Sequence, residues 1–160
     1  ICNLRCVMCP HRTAAVGKSQ HMPPDIFERL LGFVATASRM IVSGLGEPFL
    51  APVFWRLVQH CADRHDLFIR ANSNAHLVTP ESARRLLDSG LKEISFSLDA
   101  ATPETYARLR GGNFMRSRRG IEVMCAERRG HPRQSLEIFI NMTLMRENIG
   151  EAVAFVELAV

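Results

Sequence analysis

At 160 residues, 47% of them hydrophobic and 22% charged, the chain has the size and composition of one globular domain able to bury a core. The net charge is +4, no run approaches the roughly 20 apolar residues of a membrane helix, and no signal peptide opens the chain, so a cytoplasmic protein without membrane contact is expected. The five cysteines, three of them within the first nine positions, argue against a secreted disulfide framework and for metal binding in a reducing compartment.

The first element is not a helix or strand but a ligand pattern. Cys2, Cys6 and Cys9 stand in C-x3-C-x2-C spacing. Three thiolates can hold three irons of a 4Fe–4S cubane and leave the fourth open to a small molecule. Positions i, i+4 and i+7 also share a helical face, which would make the cysteines core residues. Pro10 and the lack of apolar periodicity through residues 11–21 oppose that helix. A zinc site with His11 as fourth ligand lacks the second paired half-site that zinc motifs carry.

Further along, Asp25–Ala37 places Ile26, Phe27, Leu30, Leu31 and Val34 at helical spacing, and Arg39–Ser43 is a short β-branched run. Pro52–Arg64 is amphipathic, with Val53, Phe54, Leu57, Val58 and Cys61 on one side; Leu67–Ala71 is strand-like. Thr79-Pro80-Glu81 predicts an N-cap with proline at the first helical position, and Gly90 a C′ residue behind that helix. Glu93–Asp99 alternates strictly. Thr102-Pro103-Glu104 opens another helix, Ser117–Arg129 is a further one backed by Gly130, Leu136–Met145 alternates, and Ile149–Val160 begins a last helix. Cys61 and Cys125 fall on apolar helical faces and are expected in the core.

Four strands alternating with helices imply a parallel α/β sheet with right-handed crossovers, either doubly wound or a (β/α) barrel. Strand chemistry favours the barrel. In one strand Ile94, Phe96 and Leu98 oppose Ser95, Ser97 and Asp99; in another, Leu136, Ile138, Ile140, Met142 and Leu144 oppose Glu137, Phe139, Asn141 and Thr143. A central strand covered by helices on both sides reads as continuously apolar. One polar face suits a barrel lumen that houses a polar ligand.

Of the 18 arginines, eight lie between Arg108 and Arg133. They are expected to form a solvated helix face. The alternative is a patch for an acidic peptide, a nucleotide tail or RNA. One Trp and one Tyr give little aromatic interleaving, which argues against nucleic acid.

Ser43-Gly44-Leu45-Gly46-Glu47-Pro48 is a glycine turn that bares carbonyls beside a carboxylate, a set able to receive an ammonium group; an ordinary strand-to-helix turn would also suit it. Ser73-Asn74-Ala75 is a polar strand ending in which turn formation is an equal alternative. Ser97 and Asp99 at period-2 spacing share one face of the strand, and Asp99 could instead cap the following turn.

The cysteine spacing resembles the signature of the radical S-adenosylmethionine (SAM) superfamily, and the residues after it resemble its SPASM and molybdenum-cofactor-biosynthesis branches. Gly46-Glu47-Pro48 matches the end of the "GGEP" motif, with Leu45 in place of the first glycine. Ser73-Asn74-Ala75 resembles "TNG" with Asn74 retained. Ser97-Leu98-Asp99 resembles the fourth-strand "S-x-D", and Ile140–Asn148 the fifth-strand ending. Arg110-Gly111-Gly112 also recurs there, with a solvent-facing arginine the equal alternative.

The resemblance implies a partial (β/α)6 TIM-like barrel, truncated at both ends, with residues 1–160 an incomplete core domain lacking the first and last strands. It implies that Cys2, Cys6 and Cys9 ligate a 4Fe–4S cluster. SAM contacts would come from Met8, Gly46, Glu47, Ser73, Asn74, Ser97, Asp99 and Asn141. Reductive cleavage of SAM would give a 5′-deoxyadenosyl radical that abstracts hydrogen from a peptide or cofactor-precursor substrate. The electron would come from a donor such as flavodoxin or ferredoxin. A zinc-stabilised binding module and a non-catalytic SAM-binding barrel are the alternatives.

Overall fold

Amphipathic and alternating stretches follow one another in the predicted order. The computed structural model describes residues 1–10, 21–132 and 135–159, so His11 and Arg133 lie outside the described residues. Its helices are α1 Pro24–Val34, α2 Pro52–His60, α3 Pro80–Leu87, α4 Pro103–Arg110, α5 Phe114–Gly130 and α6 Ala152–Glu157. Its strands are β1 Arg39–Val42, β2 Phe68–Ser73, β3 Glu93–Ser97 and β4 Glu137–Asn141. Short 3-10 turns, Pro48–Leu50 and Ile149–Glu151, precede α2 and α6.

All strand pairs are parallel, in the spatial order β1-β2-β3-β4. A doubly wound sheet reverses its order at a switch point and so places helices on both faces. Here the order never reverses. Successive right-handed crossovers then lay the helices on one face, the arrangement of a partial barrel. Ile69, Ala71, Ile94 and Phe96 point to that face and pack with Phe27 and Val34 of α1, Phe54, Leu57 and Val58 of α2, Leu86 of α3 and Met124 of α5. Fully burying each large side chain of this kind contributes about 1.5–3 kcal/mol. A second cluster at the strands' C-terminal end joins Leu98, Ala100, Tyr106, Phe114 and Phe155.

The face turned away from the helices is polar, as the alternation predicts. Register places Arg70, Glu93 and Glu137 in one cross-strand row, Asn72, Ser95 and Phe139 in the next, and Ser97 beside Asn141 above them. Arg70 Nε lies 3.0 Å from a Glu93 carboxylate oxygen.

Several predicted boundaries move for identifiable reasons. The α2 helix stops at His60, and Arg64 turns back to donate to the carbonyls of Val34, Ala35 and Ala37, satisfying the end of α1. The predicted strand to Met145 ends at Asn141, because the Thr143 N–H goes to the Asp99 side chain instead of a ladder partner. Thr79 caps α3 reciprocally with Ser82, and Thr102 caps α4 as expected. Gly90 is not a left-handed C′ residue. Its requirement is close approach: a Cβ there would stand 2.1 Å from the Cys61 carbonyl oxygen. Cys61 is fully buried, whereas Cys125 is only half-buried, since α5 meets solvent on more of its circumference than the sequence indicates.

Candidate active site

Residues 1–9 form no helix, so the cysteines do not share a helical packing face. The segment is laced to three different places. The Glu47 N–H donates to the Ile1 carbonyl at 2.9 Å, and the Val7 N–H donates to the Leu109 carbonyl at 2.8 Å. Asn74 Nδ2 donates to Asn3 Oδ1 at 2.8 Å. Gly46 makes the first tie possible, because a Cβ at that position would lie 2.8 Å from the Ile1 oxygen. These ties hold Cys2, Cys6 and Cys9 over the C-terminal ends of the strands, where barrel ligands sit.

A cleft of about 1600 Å³ opens there. Cys2, Cys6, Met8, Cys9, Gly46, Glu47, Ser73, Asn74, Ser97 and Asp99 all border it; Asn141 does not, although it pairs with Ser97 in the ladder. All three cysteines are free thiols. Burial pushes the Cys6 thiol up, Arg110 pulls it down, and the neighbouring Cys2, Cys9 and Asp99 push it up again.

Glu47 is 3% exposed, yet its carboxylate is well supplied with donors. Oε1 accepts from the Ser73 hydroxyl at 2.7 Å and Oε2 from the Asn74 N–H at 2.8 Å. Burial nonetheless raises its pKa, against the pull of the Asn74 N–H, the Ser73 hydroxyl, the Phe49 N–H and Arg110. Asn74 is a hub. Besides its bonds to Glu47 and Asn3, its Oδ1 accepts from the His76 N–H and its carbonyl from the Ser117 hydroxyl.

Asp99 leaves the strand instead of continuing its alternation. Its φ is +61°, in the left-handed region that Asp tolerates better than most residues. The β3 alternation ends at Ser97, so the two residues reach the cleft by different geometry. Asp99 Oδ1 accepts from the Thr143 N–H and Oδ2 from Arg110 Nη1, while its carbonyl accepts from Asn148 Nδ2.

Arg110 is therefore not a solvent-facing arginine. It is 8% exposed, and α4 ends behind it on Gly111 in the left-handed conformation. Of the other described arginines of this stretch, Arg108, Arg116, Arg118, Arg119 and Arg129 are exposed as expected, whereas Arg128 is half-buried.

Four further residues, Asn148, Tyr106, His76 and Ser117, support the site without an obvious sequence signal. Asn148 is fully buried and joins Asp99 to Thr143 and Met145. The Tyr106 hydroxyl lies 3.2 Å from His76 Nε2 and 2.5 Å from Ser117 Oγ. Ser117 spends its proton on the Asn74 carbonyl, so Tyr106 donates to Ser117 and accepts from a His76 protonated at Nε2.

The residues present fit a cubane better than a single metal ion. Among the described residues, no three His, Cys, Asp or Glu side chains converge as ligands of one ion. A cubane places its thiolates on separate irons and needs no such convergence. The donor set is all thiolate, the choice of soft, iron–sulfur chemistry.

The profile of the Radical SAM superfamily matches residues 1–159. The chain is 31% identical over 162 residues to the AdoMet-dependent heme synthase of Methanosarcina barkeri, a match covering 99% of this chain and 44% of that protein. It is also 31% identical over 169 residues to the mycofactocin maturase MftC of Mycobacterium ulcerans, covering 99% and 41%. SuiB of Streptococcus suis shares the fold. Its structure bound to S-adenosylmethionine gives a TM-score of 0.74 at 17% identity, and that bound to the precursor peptide SuiA gives 0.76 at 16%; each match covers 99% of this chain and 34% of SuiB. The chain thus spans less than half the length of these relatives. A cysteine triad tied over the strand ends, beside a buried carboxylate and within a matching fold and profile, makes this chain a member of the radical SAM superfamily.

Proposed function

We propose that residues 1–160 form most of the core domain of a radical SAM enzyme that acts on a peptide substrate. The observation that carries this reading is the placement of Cys2, Cys6 and Cys9 at the rim of the cleft that Gly46, Glu47, Ser73, Asn74, Ser97 and Asp99 also border. Cys2, Cys6 and Cys9 would hold a 4Fe–4S cluster with one iron left for SAM. When bound, the pair supplies one-electron reductive cleavage of the sulfonium and, through it, hydrogen abstraction from the substrate.

The protein's part is to bind, orient and exclude water. The Glu47 carboxylate, with carbonyls of the Gly46 turn, would accept the SAM ammonium protons. Ser73 and Asn74 hold Glu47 in place. Ser97 and Asp99 would meet the ribose hydroxyls: each Asp99 oxygen, though already bonded inside the protein, keeps a second lone pair for a further donor. Met8 lines the same cleft and would pack on the cofactor, with Asn141 supporting Ser97 from the neighbouring strand.

A peptide substrate is supported by the maturase relative and by the fold's occurrence in a protein solved with a precursor peptide. A cofactor precursor is the second class, supported by the heme synthase relative. An external one-electron donor of the flavodoxin or ferredoxin type completes the cycle. A cytoplasmic setting suits the free thiols, and no helix among the described residues is long and apolar enough to cross a membrane.

Anaerobic reconstitution tests the reading. The protein should take up about four irons per cysteine triad and form 5′-deoxyadenosine when reduced with SAM. Undiminished iron uptake by the Cys2→Ala, Cys6→Ala, Cys9→Ala triple variant would refute the ligand assignment.

A further inference from the structure

The stretch that carries Cys6 and the end of α4 run antiparallel against each other. The Val7 N–H donates to the Leu109 carbonyl at 2.8 Å. Two residues on, in opposite chain senses, Gly111 meets Arg5: a Cβ on this glycine, whose φ is +65°, would stand 3.3 Å from the Arg5 carbonyl oxygen. With Val7 across from Leu109 and Arg5 across from Gly111, Cys6 stands across from Arg110. Each is 8% exposed, and each borders the cleft. Burial pushes the Cys6 thiol up; among the charged groups around it Arg110 acts most strongly, pulling it down, and Asp99 least, pushing it up. Burial opposes the charge of Arg110, while Cys6 and then Asp99 support it.

We infer that Arg110 sets the reduction potential of the cluster by holding a fixed positive charge against its Cys6 corner, with Asp99 partly cancelling that charge. This rests on reading Cys2, Cys6 and Cys9 as the ligands of a 4Fe–4S cluster. A reduced cluster carries one more negative charge than an oxidised one, so a cation beside it stabilises the reduced form and raises the potential. A guanidinium stays protonated throughout the working pH range, and away from water its charge is weakly screened. Net charge near the sulfurs is one of the levers that spread iron–sulfur potentials. The Asp99 carboxylate divides itself between Arg110 Nη1 and the Thr143 N–H, so it offsets the guanidinium incompletely. Arg5 and Arg108 also border the cleft, but both are exposed, where water and salt screen them.

The test is a potentiometric titration of the anaerobically reconstituted protein without SAM, followed by EPR, with a Ti(III) chelate as reductant. Arg110→Met should make reduction about tenfold less favourable, a fall of about 59 mV for a one-electron couple. Arg110→Lys keeps the charge and should stay within roughly twofold of the parent. Asp99→Asn should move the potential up, and the Arg110→Met, Asp99→Asn double variant should fall less than Arg110→Met alone. Arg119→Met removes the same charge from the exposed surface of α5 and should leave the potential unmoved. A merely structural role for Arg110 would not give Asp99 the opposite sign.

Equal potentials in Arg110→Met and the parent would overturn the inference. So would an equal fall in Arg119→Met, or an Asp99→Asn potential at or below that of the parent. Where Arg110→Met takes up no iron, the sign of the Asp99→Asn shift decides. Failure of the parent to form any cubane would overturn the proposed function and the inference with it; a normal parent cubane whose potential ignores these substitutions overturns the inference alone.

Discussion

Arg110 Nη1 donates to Asp99 Oδ2 at 2.8 Å, with 10% and 1% of the two side chains exposed, and this pair joins the end of α4 to the end of β3 beside the cysteines. Removing one member of a buried pair leaves the other charge uncompensated, at about 3–5 kcal/mol. Arg110→Ala is therefore expected to destabilise the protein by roughly that amount in urea unfolding. The Arg110→Met, Asp99→Asn double variant should recover much of the loss. Equal stability of Arg110→Ala and the parent would show that the pair is not buried as described.

Glu47 yields a pH dependence with a definite sign. Burial raises its folded pKa, so folding favours the protonated form, and this group's contribution to stability is lost as pH rises from the ordinary carboxylate value to the raised one. In the proposed role of Glu47, SAM binding runs the other way, because the ammonium would need the ionised carboxylate. Affinity should rise with pH through the raised pKa, and Glu47→Gln should lower it roughly ten- to hundredfold while flattening the pH profile. Isothermal titration across that range checks both.

His76 has the opposite character. Burial lowers its pKa, Arg116 and Arg110 lower it further, and the Asn113 backbone opposes them. The unfolded chain takes up a proton near pH 6.5 that the folded chain declines, so stability should fall as pH drops below that value. Melting temperatures of the parent and His76→Gln between about pH 5 and 7.5 should converge toward the acid end. Parallel profiles would remove His76 as the source.

Gly46 and Gly44 make a matched pair. A Cβ at Gly46 meets the Ile1 carbonyl, whereas one at Gly44 meets nothing within 4 Å. Gly46→Ala should displace the cysteine segment, destabilising the chain by about 1–3 kcal/mol and lowering iron per chain on reconstitution. Gly44→Ala should match the parent in both. Iron analysis and melting curves distinguish the two outcomes.

The sheet was legible because its chemistry is local. Alternation at Ile94, Phe96 and Leu98 shows which face meets the helices, and Thr79-Pro80 and Thr102-Pro103 announce their helices within a few residues. The cleft's lining was marked by resemblance to the family's motifs at Gly46-Glu47 and Ser73-Asn74, runs whose composition alone suits ordinary turns equally well. What stayed hidden depends on partners far apart in sequence. Asn148 lies 49 residues from the Asp99 carbonyl it holds. Arg110 reads like any helix-terminal arginine until Asp99 turns left-handed toward it. Neither Tyr106 nor His76 has a neighbour in the chain that announces their contact, and the early end of β4 follows from a side chain just beyond β3 taking the Thr143 N–H.

The lacing of the first ten residues has a practical outcome. Because Ile1, Asn3 and Val7 are fastened to three separate parts of the barrel, the spacing of the sulfurs is written into the scaffold and not into the loop. Transplanting Ile1–Pro10 onto an unrelated protein would carry the thiols but not their arrangement. Conversely, a substitution at Asn74, whose side chain holds Asn3, would disturb the proposed iron site while leaving every cysteine in place.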